Sequence, residues 1–184
     1  MQKKDESSQS RSPEHNVNIW APWRIEYIES LGKDSGCFLC EIRDTPSRDE
    51  QDLVIWRGRR AITVMNRFPY TGGHCLIAPH DHVPDLDQID GETILEMMAM
   101  VRDIQKAITE AVGAQGFNVG INLGRCAGAG LPGHLHIHVV PRWAGDTNFM
   151  AVFGDVRVIP DALSNLRGKI LAAAGKLGLP KPQP

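Results

Sequence analysis

The chain has 184 residues, with 20 Lys and Arg against 22 Asp and Glu, which gives a formal net charge of −2. This balance excludes the broad basic surface that binds duplex nucleic acid, and the apolar runs are far shorter than the roughly 20 residues of a membrane span. No secretory signal is predicted, and the four cysteines are expected to be thiols or metal ligands rather than disulfides. We therefore expect a cytoplasmic protein with no nucleic-acid or membrane partner.

The two ends of the chain lack a pattern of buried positions. Residues 1–16 are polar and are predicted to be a disordered tail, and residues 175–184 are predicted to be a flexible tail. A single domain is expected between them, over residues 17–174. It begins with a short helix predicted at 23–30, directly after a proline, whose apolar side chains pack in the core or at a subunit contact.

Short strands separated by turn signals follow this helix. Apolar runs predict strands at 53–56, 61–65 and 74–79, the last of them after a Pro-Tyr-Thr-Gly-Gly turn. Two further strands are predicted at 116–124 and 134–140. Strands in hairpin-like order around one long helix indicate an α+β domain with an antiparallel sheet of about five strands.

The long helix is predicted between the third and fourth strands. Apolar residues recur there at spacings of three and four over 91–112, which is typical of a helix with one buried stripe. The stripe is predicted to consist of Ile94, Met97, Met98, Val101, Ile104, Ile108 and Ala111. A final helix is predicted at about 160–174.

Three of the seven histidines alternate with apolar residues in His134-Leu-His-Ile-His-Val-Val140. Side chains two residues apart share one face of a strand, so the three imidazoles are expected on one accessible face, with Leu135, Ile137 and Val139 in the core. Such a row suits a metal site, phosphate binding or nucleophilic catalysis. The glycine-rich loop 128–133 before it allows backbone N–H groups to approach an anion.

The segment 134–142 resembles the signature of the histidine triad (HIT) superfamily of nucleotide hydrolases and transferases. The resemblance extends to 64–79, which is similar to the family's nucleoside-binding strand pair, and covers about residues 37–143. The flanking segments 19–27 and 145–150 look most like those of the short diadenosine tetraphosphate phosphorylases of this superfamily.

The resemblance implies roles for the histidines and for two asparagines. His136, the middle histidine, would attack the α-phosphorus of a nucleotide and form a nucleotidyl-histidine intermediate. His138 would donate to a phosphoryl oxygen, and His134 would orient the row or bind a metal. Asn66 matches the position that holds the ribose hydroxyls, and Asn122 is a candidate contact on the phosphate side.

The loop before the triad departs from the family pattern. Many family hydrolases carry Gln followed by Ser or Thr where this chain has Gly130 and Leu131. Without that side-chain donor, backbone N–H groups would hold the phosphate, which favours transfer to another acceptor such as orthophosphate. Arg142 or Arg125 is a candidate to hold that incoming anion.

The implied reaction is the cleavage of diadenosine tetraphosphate by orthophosphate to ADP and ATP. Two alternatives remain open at this point. One is a HIT-type hydrolase or adenosine phosphoramidase that uses water as the acceptor, and the other is a non-catalytic nucleotide-binding module. The resemblance also implies a homodimer or a higher homo-oligomer, with Trp20 and Trp23 as candidates for its contact surface.

Cys37 and Cys40 form a Cys-x-x-Cys pair, which is typical of half a zinc site. The resemblance implies that His82 and His134 complete a structural Zn²⁺ site, with His80 as the competing ligand. The alternative is a pair of reduced cysteines packed near the start of the domain. No organic cofactor is expected.

Overall fold

The computed structural model describes residues 36–146 and 161–180. The tail predicted at 1–16, the helix predicted at 23–30 and the two tryptophans of the expected subunit contact lie outside these residues. The helices and strands of the described residues are α1 (Phe38–Asp44), β1 (Val54–Arg57), β2 (Ala61–Met65), β3 (Cys75–Pro79), α2 (Gly91–Val112), β4 (Gly116–Ile121), β5 (Ile137–Arg142) and α3 (Leu163–Leu177).

The five strands form one antiparallel sheet in the order β1-β2-β3-β5-β4. β2 and β3 pair along their whole length, from Ala61 opposite Pro79 to Met65 opposite Cys75. β3 and β5 pair over a shorter stretch, from Cys75 opposite Val139 to Ile77 opposite Ile137. The predicted α+β class with a five-stranded antiparallel sheet is confirmed.

Alternation along the strands divides the apolar residues between the two faces of the sheet. One face packs under α2 and α3, where the larger core cluster includes Met65, Ile77 and Val139. The other face carries a smaller cluster, in which Val64 and Leu76 pack with residues of α1. Because burying apolar side chains on both faces removes them from water, the sheet forms the middle layer of the domain.

The long helix α2 has the predicted bounds, and its ends are set by local chemistry. Asp90 caps the N-terminus by accepting hydrogen bonds from the Thr93 N–H at 3.0 Å and from the Thr93 hydroxyl at 2.7 Å. These bonds hold the pKa of the Asp90 carboxyl below its ordinary value. Gly113 ends the helix with φ of 65°, a left-handed conformation that glycine adopts without strain.

The predicted buried stripe of α2 is correct at its centre and wrong at its edge. Ile94 and Met98 are 38% and 51% exposed, whereas Met100 and Ala107 are buried. The face that meets the sheet and α3 is rotated from the predicted one, because it also accommodates the carboxylate of Glu96, which is 6% exposed. A periodicity that counts only apolar residues does not detect the buried polar residues on this face.

Helix α3 is displaced from its predicted position towards the C-terminus. It begins at Leu163 and continues to Leu177, three residues past the predicted end, before Gly178 closes it with φ of 61°. The helix therefore includes the first residues of the predicted tail at 175–184, of which 181–184 lie outside the described residues. Among the described helices, none has the length and apolar character needed to cross a bilayer.

The turn between β1 and β2 is tied to α2 by one buried carboxylate. Glu96 Oε1 accepts from the backbone N–H groups of Arg60 at 2.9 Å and Ala61 at 3.2 Å. Gly58 closes the turn by donating to the Ala61 carbonyl at 2.8 Å. A Cβ at Gly58 would overlap Glu96 Oε1 and the Met100 methyl group, so the turn requires glycine at this place.

We expect Gly58→Ala to lower the free energy of unfolding by about 1–3 kcal/mol, since the buried carboxylate cannot move without losing its two donors. Gly168→Ala is the matched control, because Gly168 is in the exposed interior of α3 with no atom within 4 Å of a Cβ. That substitution is expected to raise the free energy of unfolding by about 0.5–1 kcal/mol. Denaturant titration of both variants measures the difference, and equal stability of the two would contradict the steric argument.

Candidate active site

The three histidines of the triad straddle the start of β5. Only His138 is within the strand, and His134 and His136 belong to the segment before it. The predicted strand start at residue 134 is therefore wrong. The physical reason is that the Leu135 N–H donates to the Val83 carbonyl at 2.7 Å, so this segment is held by a loop rather than by the sheet.

The row of imidazoles is buried, contrary to the expected accessible face. His134 is 1% exposed, His136 is 6% exposed, and His138 is half-buried. The alternation itself is confirmed, because the apolar residues between the histidines lie in the core cluster under α2. His138 stands opposite Leu76 in the sheet, on the face that carries the smaller cluster.

His136 has one ring nitrogen anchored by the backbone. Its Nδ1 is 2.8 Å from the carbonyl oxygen of His134, and since a carbonyl only accepts, Nδ1 carries the proton. Nε2 therefore presents a lone pair. Burial lowers the pKa of His136, against the opposing effect of this hydrogen bond, so the ring is neutral near pH 7 and suited to nucleophilic attack.

The His138 imidazole lies beside the His136 ring. The ring centroids of His136 and His138 are 4.9 Å apart, and Asn122, directly after β4, places its amide nitrogen 3.4 Å from His138 Nε2. Burial, with a smaller contribution from His136, lowers the pKa of His138 to about 4. The structure thus brings Asn122 to the triad and keeps His138 uncharged near pH 7.

A fourth histidine belongs to the site and was not recognised from the sequence. His74 is fully buried, and its Nε2 is 3.0 Å from His138 Nδ1. Tyr70 stacks on the His74 ring with centroids 4.8 Å apart. The sequence could have indicated His74 only through the order of the strands, because His74 directly precedes β3, which lies beside β5 in the sheet.

Asn66 is positioned at the opposite side of His74 from the triad. Its Oδ1 accepts from the Phe68 N–H at 2.9 Å, and its Nδ2 is 3.3 Å from His74 Nδ1. Since one amide proton of Nδ2 remains for another acceptor, the ribose contact stays a prediction. The structure therefore links Asn66 to the imidazoles through His74.

The glycine-rich loop contacts the triad segment through a backbone hydrogen bond. Leu131 packs against the smaller apolar cluster, and its carbonyl accepts from the His134 N–H at 3.3 Å. Gly130 is half-buried in a bend directly before it. Gly128, with φ of 85°, ends the 3-10 turn Arg125–Ala127. The predicted phosphate contacts of this loop stay a prediction.

Arg142 is not brought to the imidazoles. It lies four residues after His138 in β5, roughly 13 Å along the strand. Its guanidinium binds both carboxylate oxygens of Asp146, at 2.5 and 2.8 Å, and the Asn118 side-chain oxygen at 2.8 Å. The structure therefore gives this arginine a place in an ion pair at the end of the sheet.

Cys37, Cys40, His82 and His134 converge, as the resemblance implied, and their ligand atoms all lie within 4.8 Å of one another. Nδ1 of His134 is 3.1 Å from Cys37 Sγ and 3.6 Å from Cys40 Sγ, and Nδ1 of His82 is 3.4 Å from Cys40 Sγ. Tetrahedral Zn²⁺ separates a thiolate and an imidazole nitrogen by about 3.5 Å. The donor set and its dimensions therefore fit zinc.

Hydrogen bonds to the backbone fix the His134 ring and the helix that follows Cys37. His134 Nε2 donates to the Pro79 carbonyl at 2.9 Å, which leaves the lone pair on Nδ1, the atom that faces the thiols. Arg57 holds the C-terminal end of α1 by donating to the carbonyls of Ile42 at 2.6 Å and Arg43 at 3.0 Å. His80, the predicted competitor, instead directs Nε2 to a backbone carbonyl of the β1–β2 turn at 3.1 Å.

The other cysteines lie apart from this cluster. All four are free thiols, which agrees with the expected absence of disulfides. Cys75 is fully buried in β3, where burial raises the pKa of its thiol to about 12. Cys126 is exposed in the loop after β4.

Comparison with known proteins identifies the family to which the chain belongs. The profile of the HIT domain family matches residues 47–145. The chain belongs to the HIT domain family. A protein of Mycobacterium tuberculosis (strain CDC 1551 / Oshkosh) named AP-4-A phosphorylase is 36% identical to it over 155 residues, 81% of this chain and 80% of that protein. The resemblance stated from the motifs is thereby confirmed, and the chain is a HIT-family enzyme.

Two other relatives bear on the site. The crystal structure of a Zn-bound histidine triad family protein from Mycobacterium smegmatis superimposes with a TM-score of 0.64 at 31% identity, covering 78% of this chain and 96% of that one. The asymmetrical bis(5'-nucleosyl)-tetraphosphatase of Schizosaccharomyces pombe (strain 972 / ATCC 24843) is 31% identical over 93 residues, 50% of each chain. The family therefore includes a zinc-bound member and a hydrolase by name.

We expect the protein to bind one Zn²⁺ per chain at this cluster. At free zinc 100 times the dissociation constant, binding would raise the free energy of unfolding by about 2.7 kcal/mol. Cys40→Ser should lower both the zinc content and the chelator-sensitive part of the melting temperature, and Cys126→Ser, which changes an exposed cysteine outside the cluster, should alter neither. Metal analysis and thermal unfolding measure this, and equal zinc content in both variants would contradict the site.

Stability is expected to fall between pH 6.5 and 4 partly because of His138. Its pKa in the folded chain is about 4, against an ordinary value of 6.5, so in this range the unfolded chain binds a proton that the folded chain excludes. The contribution is present above pH 6.5 and is lost as the pH falls towards 4. His138→Gln should flatten the fall in the free energy of unfolding, measured by denaturant titration at pH 7, 5.5 and 4.5. An unchanged slope would show that His138 titrates normally.

Proposed function

We propose that this protein cleaves diadenosine tetraphosphate with orthophosphate to give ADP and ATP, through an adenylyl group carried on His136. The observation that carries the proposal is the hydrogen bond of His136 Nδ1 to the His134 carbonyl at 2.8 Å. It leaves the Nε2 lone pair beside the uncharged ring of His138. The likeness to the named phosphorylase over four fifths of both chains supports this substrate class.

In the first step, Nε2 of His136 forms a bond to the α-phosphorus of the dinucleotide. The bond from that phosphorus to the bridging oxygen breaks, and the electron pair leaves with ATP. Negative charge on the phosphoryl oxygens increases along this path, and an N–H donor on His138 stabilises it without a net charge on the ring. In this scheme Asn122, 3.4 Å from His138 Nε2, contacts the same phosphoryl group.

In the second step, an oxygen of orthophosphate attacks the adenylyl phosphorus. The bond to Nε2 breaks, its electron pair returns to the ring as the lone pair, and ADP forms. The absence of Gln and of a hydroxyl residue at Gly130 and Leu131 leaves backbone N–H groups to hold the phosphate, which supports transfer to an anionic acceptor such as orthophosphate. The covalent intermediate divides one displacement into two steps, and each step has a lower barrier than the single displacement.

The zinc cluster supports this chemistry from outside the reaction. When bound, Zn²⁺ would link the start of α1 to the triad segment through Cys37, Cys40, His82 and His134. No reacting atom passes through it in the proposed scheme. A homodimer and a cytoplasmic location stay predictions.

The reaction is tested by supplying diadenosine tetraphosphate with and without ³²P-orthophosphate. We expect ADP and ATP only when orthophosphate is present, with the label in the β-phosphate of ADP. AMP and ATP formed without orthophosphate would show a hydrolase, the activity named for the Schizosaccharomyces relative. Tight nucleotide binding without any turnover would show a binding module.

The nucleophile is tested by His136→Asn, which should lower kcat at least about 10³-fold because the covalent route is lost. His80→Asn makes the same change in a histidine whose ring hydrogen bonds to the Gly58 carbonyl in the β1–β2 turn, and we expect its kcat to stay within about threefold of the wild type. Full activity of a folded His136→Asn enzyme would remove His136 from the mechanism.

A further inference from the structure

Cys37 and Cys40 place two thiols next to each other at the start of α1. Their Sγ atoms lie within 4.8 Å of each other, and both residues are half-buried free thiols. Cys75 is fully buried and Cys126 lies outside the cluster. A cysteine with a second thiol beside it is oxidised reversibly, because its first oxidation product condenses with the neighbouring thiol to a disulfide.

The backbone at the start of α1 allows such a bond. Residues three apart on a helix have their Cβ atoms about 5–6 Å apart, and a disulfide needs about 4 Å. Cys37 precedes the first turn with φ of −72° and ψ of 108°, and its carbonyl accepts from the Glu41 N–H at 3.0 Å. Only a small movement of Cys37 is therefore needed to join the two sulfurs.

The cluster is open to solvent on one side. His82 is exposed, and its Nδ1 is 3.4 Å from Cys40 Sγ. His134, which contacts both thiols from the other side, is 1% exposed. A small oxidant such as hydrogen peroxide can therefore reach the thiols past the His82 ring.

Contacts that do not involve the sulfurs hold the helix that carries Cys40. Leu39 is fully buried, and it packs with Ile42 in the smaller apolar cluster. At the C-terminal end of the helix, the Arg57 guanidinium donates to the carbonyls of Ile42 and Arg43. These contacts keep the two cysteines in place when their ligand bonds are lost, so a reductant can restore the pair.

We propose that Cys37 and Cys40 form a reversible disulfide on reaction with a peroxide, and that this reaction releases the Zn²⁺ bound by the cluster. The inference goes beyond the proposed function and does not depend on it. Once the disulfide has formed, only His82 and His134 remain of the four ligands, which is too few for a closed tetrahedral site.

The chemistry balances in two steps. The first sulfur forms a bond to one peroxide oxygen, the O–O bond breaks, and one water leaves as the sulfenic acid forms. The second sulfur then forms the S–S bond, the S–O bond breaks, and a second water leaves. Two electrons pass from the sulfurs to the peroxide. The two protons come from the thiols, or from solvent where zinc has displaced them.

The inference is tested on the full-length zinc-loaded protein without nucleotide. Hydrogen peroxide is added, and released zinc is followed with a chromogenic chelator. We expect one Zn²⁺ per chain to be released. Alkylation of the denatured product, followed by peptide mass spectrometry, should find Cys37 and Cys40 linked to each other and Cys75 and Cys126 alkylated. Dithiothreitol with added zinc should restore the metal content.

Two variants separate the pair from the other thiols. Cys126→Ser removes the exposed cysteine outside the cluster, and it should release zinc and form the disulfide as the wild type does. Cys37→Ser removes one partner of the pair, so peroxide should leave a sulfenic acid on Cys40 that dimedone traps, with no disulfide within the chain.

Other results would overturn the inference. Zinc retained after peroxide treatment, with Cys37 and Cys40 both alkylated, would show that the pair is not oxidised. Zinc released with a sulfinic acid, which dithiothreitol does not reduce, would show damage instead of a reversible bond. If the protein holds no zinc, release of the metal is wrong, and peptide mapping of the metal-free protein decides the disulfide. If Cys37→Ser does not fold, the wild-type mapping decides the question.

Discussion

The antiparallel pairing of β3 with β5 is the constraint on which the site depends. It spans only the stretch from Cys75 opposite Val139 to Ile77 opposite Ile137. His74 directly precedes this stretch, and Pro79 lies two residues beyond it, at the end of β3. Through these ends the sheet reaches two of the triad imidazoles, by a side chain at one end and a backbone carbonyl at the other.

The buried imidazoles of His134 and His136 each donate one proton to a backbone carbonyl, although from different ring nitrogens. A neutral imidazole has one donor and one acceptor nitrogen, and leaving either without a partner in the interior costs about 1–3 kcal/mol. His134 donates from Nε2 to a backbone carbonyl, and His136 donates from Nδ1 to another. Each ring thus hydrogen bonds to the backbone with one nitrogen, and the other nitrogen of His134 faces the thiols of Cys37 and Cys40, whereas that of His136 keeps its lone pair. The burial that lowers their pKa values also keeps that second nitrogen unprotonated.

The sequence alone predicts much of this fold, because its periodicities are local. The bounds of α2 and the approximate positions of the five strands along the chain follow from apolar spacing and turn residues, although β5 begins three residues later than predicted. The spacing of apolar residues does not show that a buried carboxylate also lies on the core-facing side of a helix. The prediction therefore placed Met98 in the core, although half of it is exposed. Spacing also does not report long-range pairing. His74 and His138 are 64 residues apart, and only the order of strands in the sheet brings them together.

The alternating histidines predict a row of equivalent imidazoles, but the structure gives His134 and His136 different surroundings. His134 and His136 alternate in the sequence as if they were equivalent, yet one faces two thiols and the other faces the neighbouring imidazole. The difference arises because the segment before β5 is paired with a loop. Residues next to a strand can therefore follow the strand's alternation without sharing its geometry.

His134 contacts the His136 imidazole through a backbone atom, and this limits what mutagenesis of position 134 can reveal. Its carbonyl oxygen receives the His136 proton at 2.8 Å, and every amino acid at position 134 would supply that oxygen. A substitution of His134 therefore removes a ligand from the cysteine cluster while the acceptor itself persists. Substitutions at position 134 therefore report on the cysteine cluster alone, although the backbone at this position also fixes which nitrogen of His136 carries the proton.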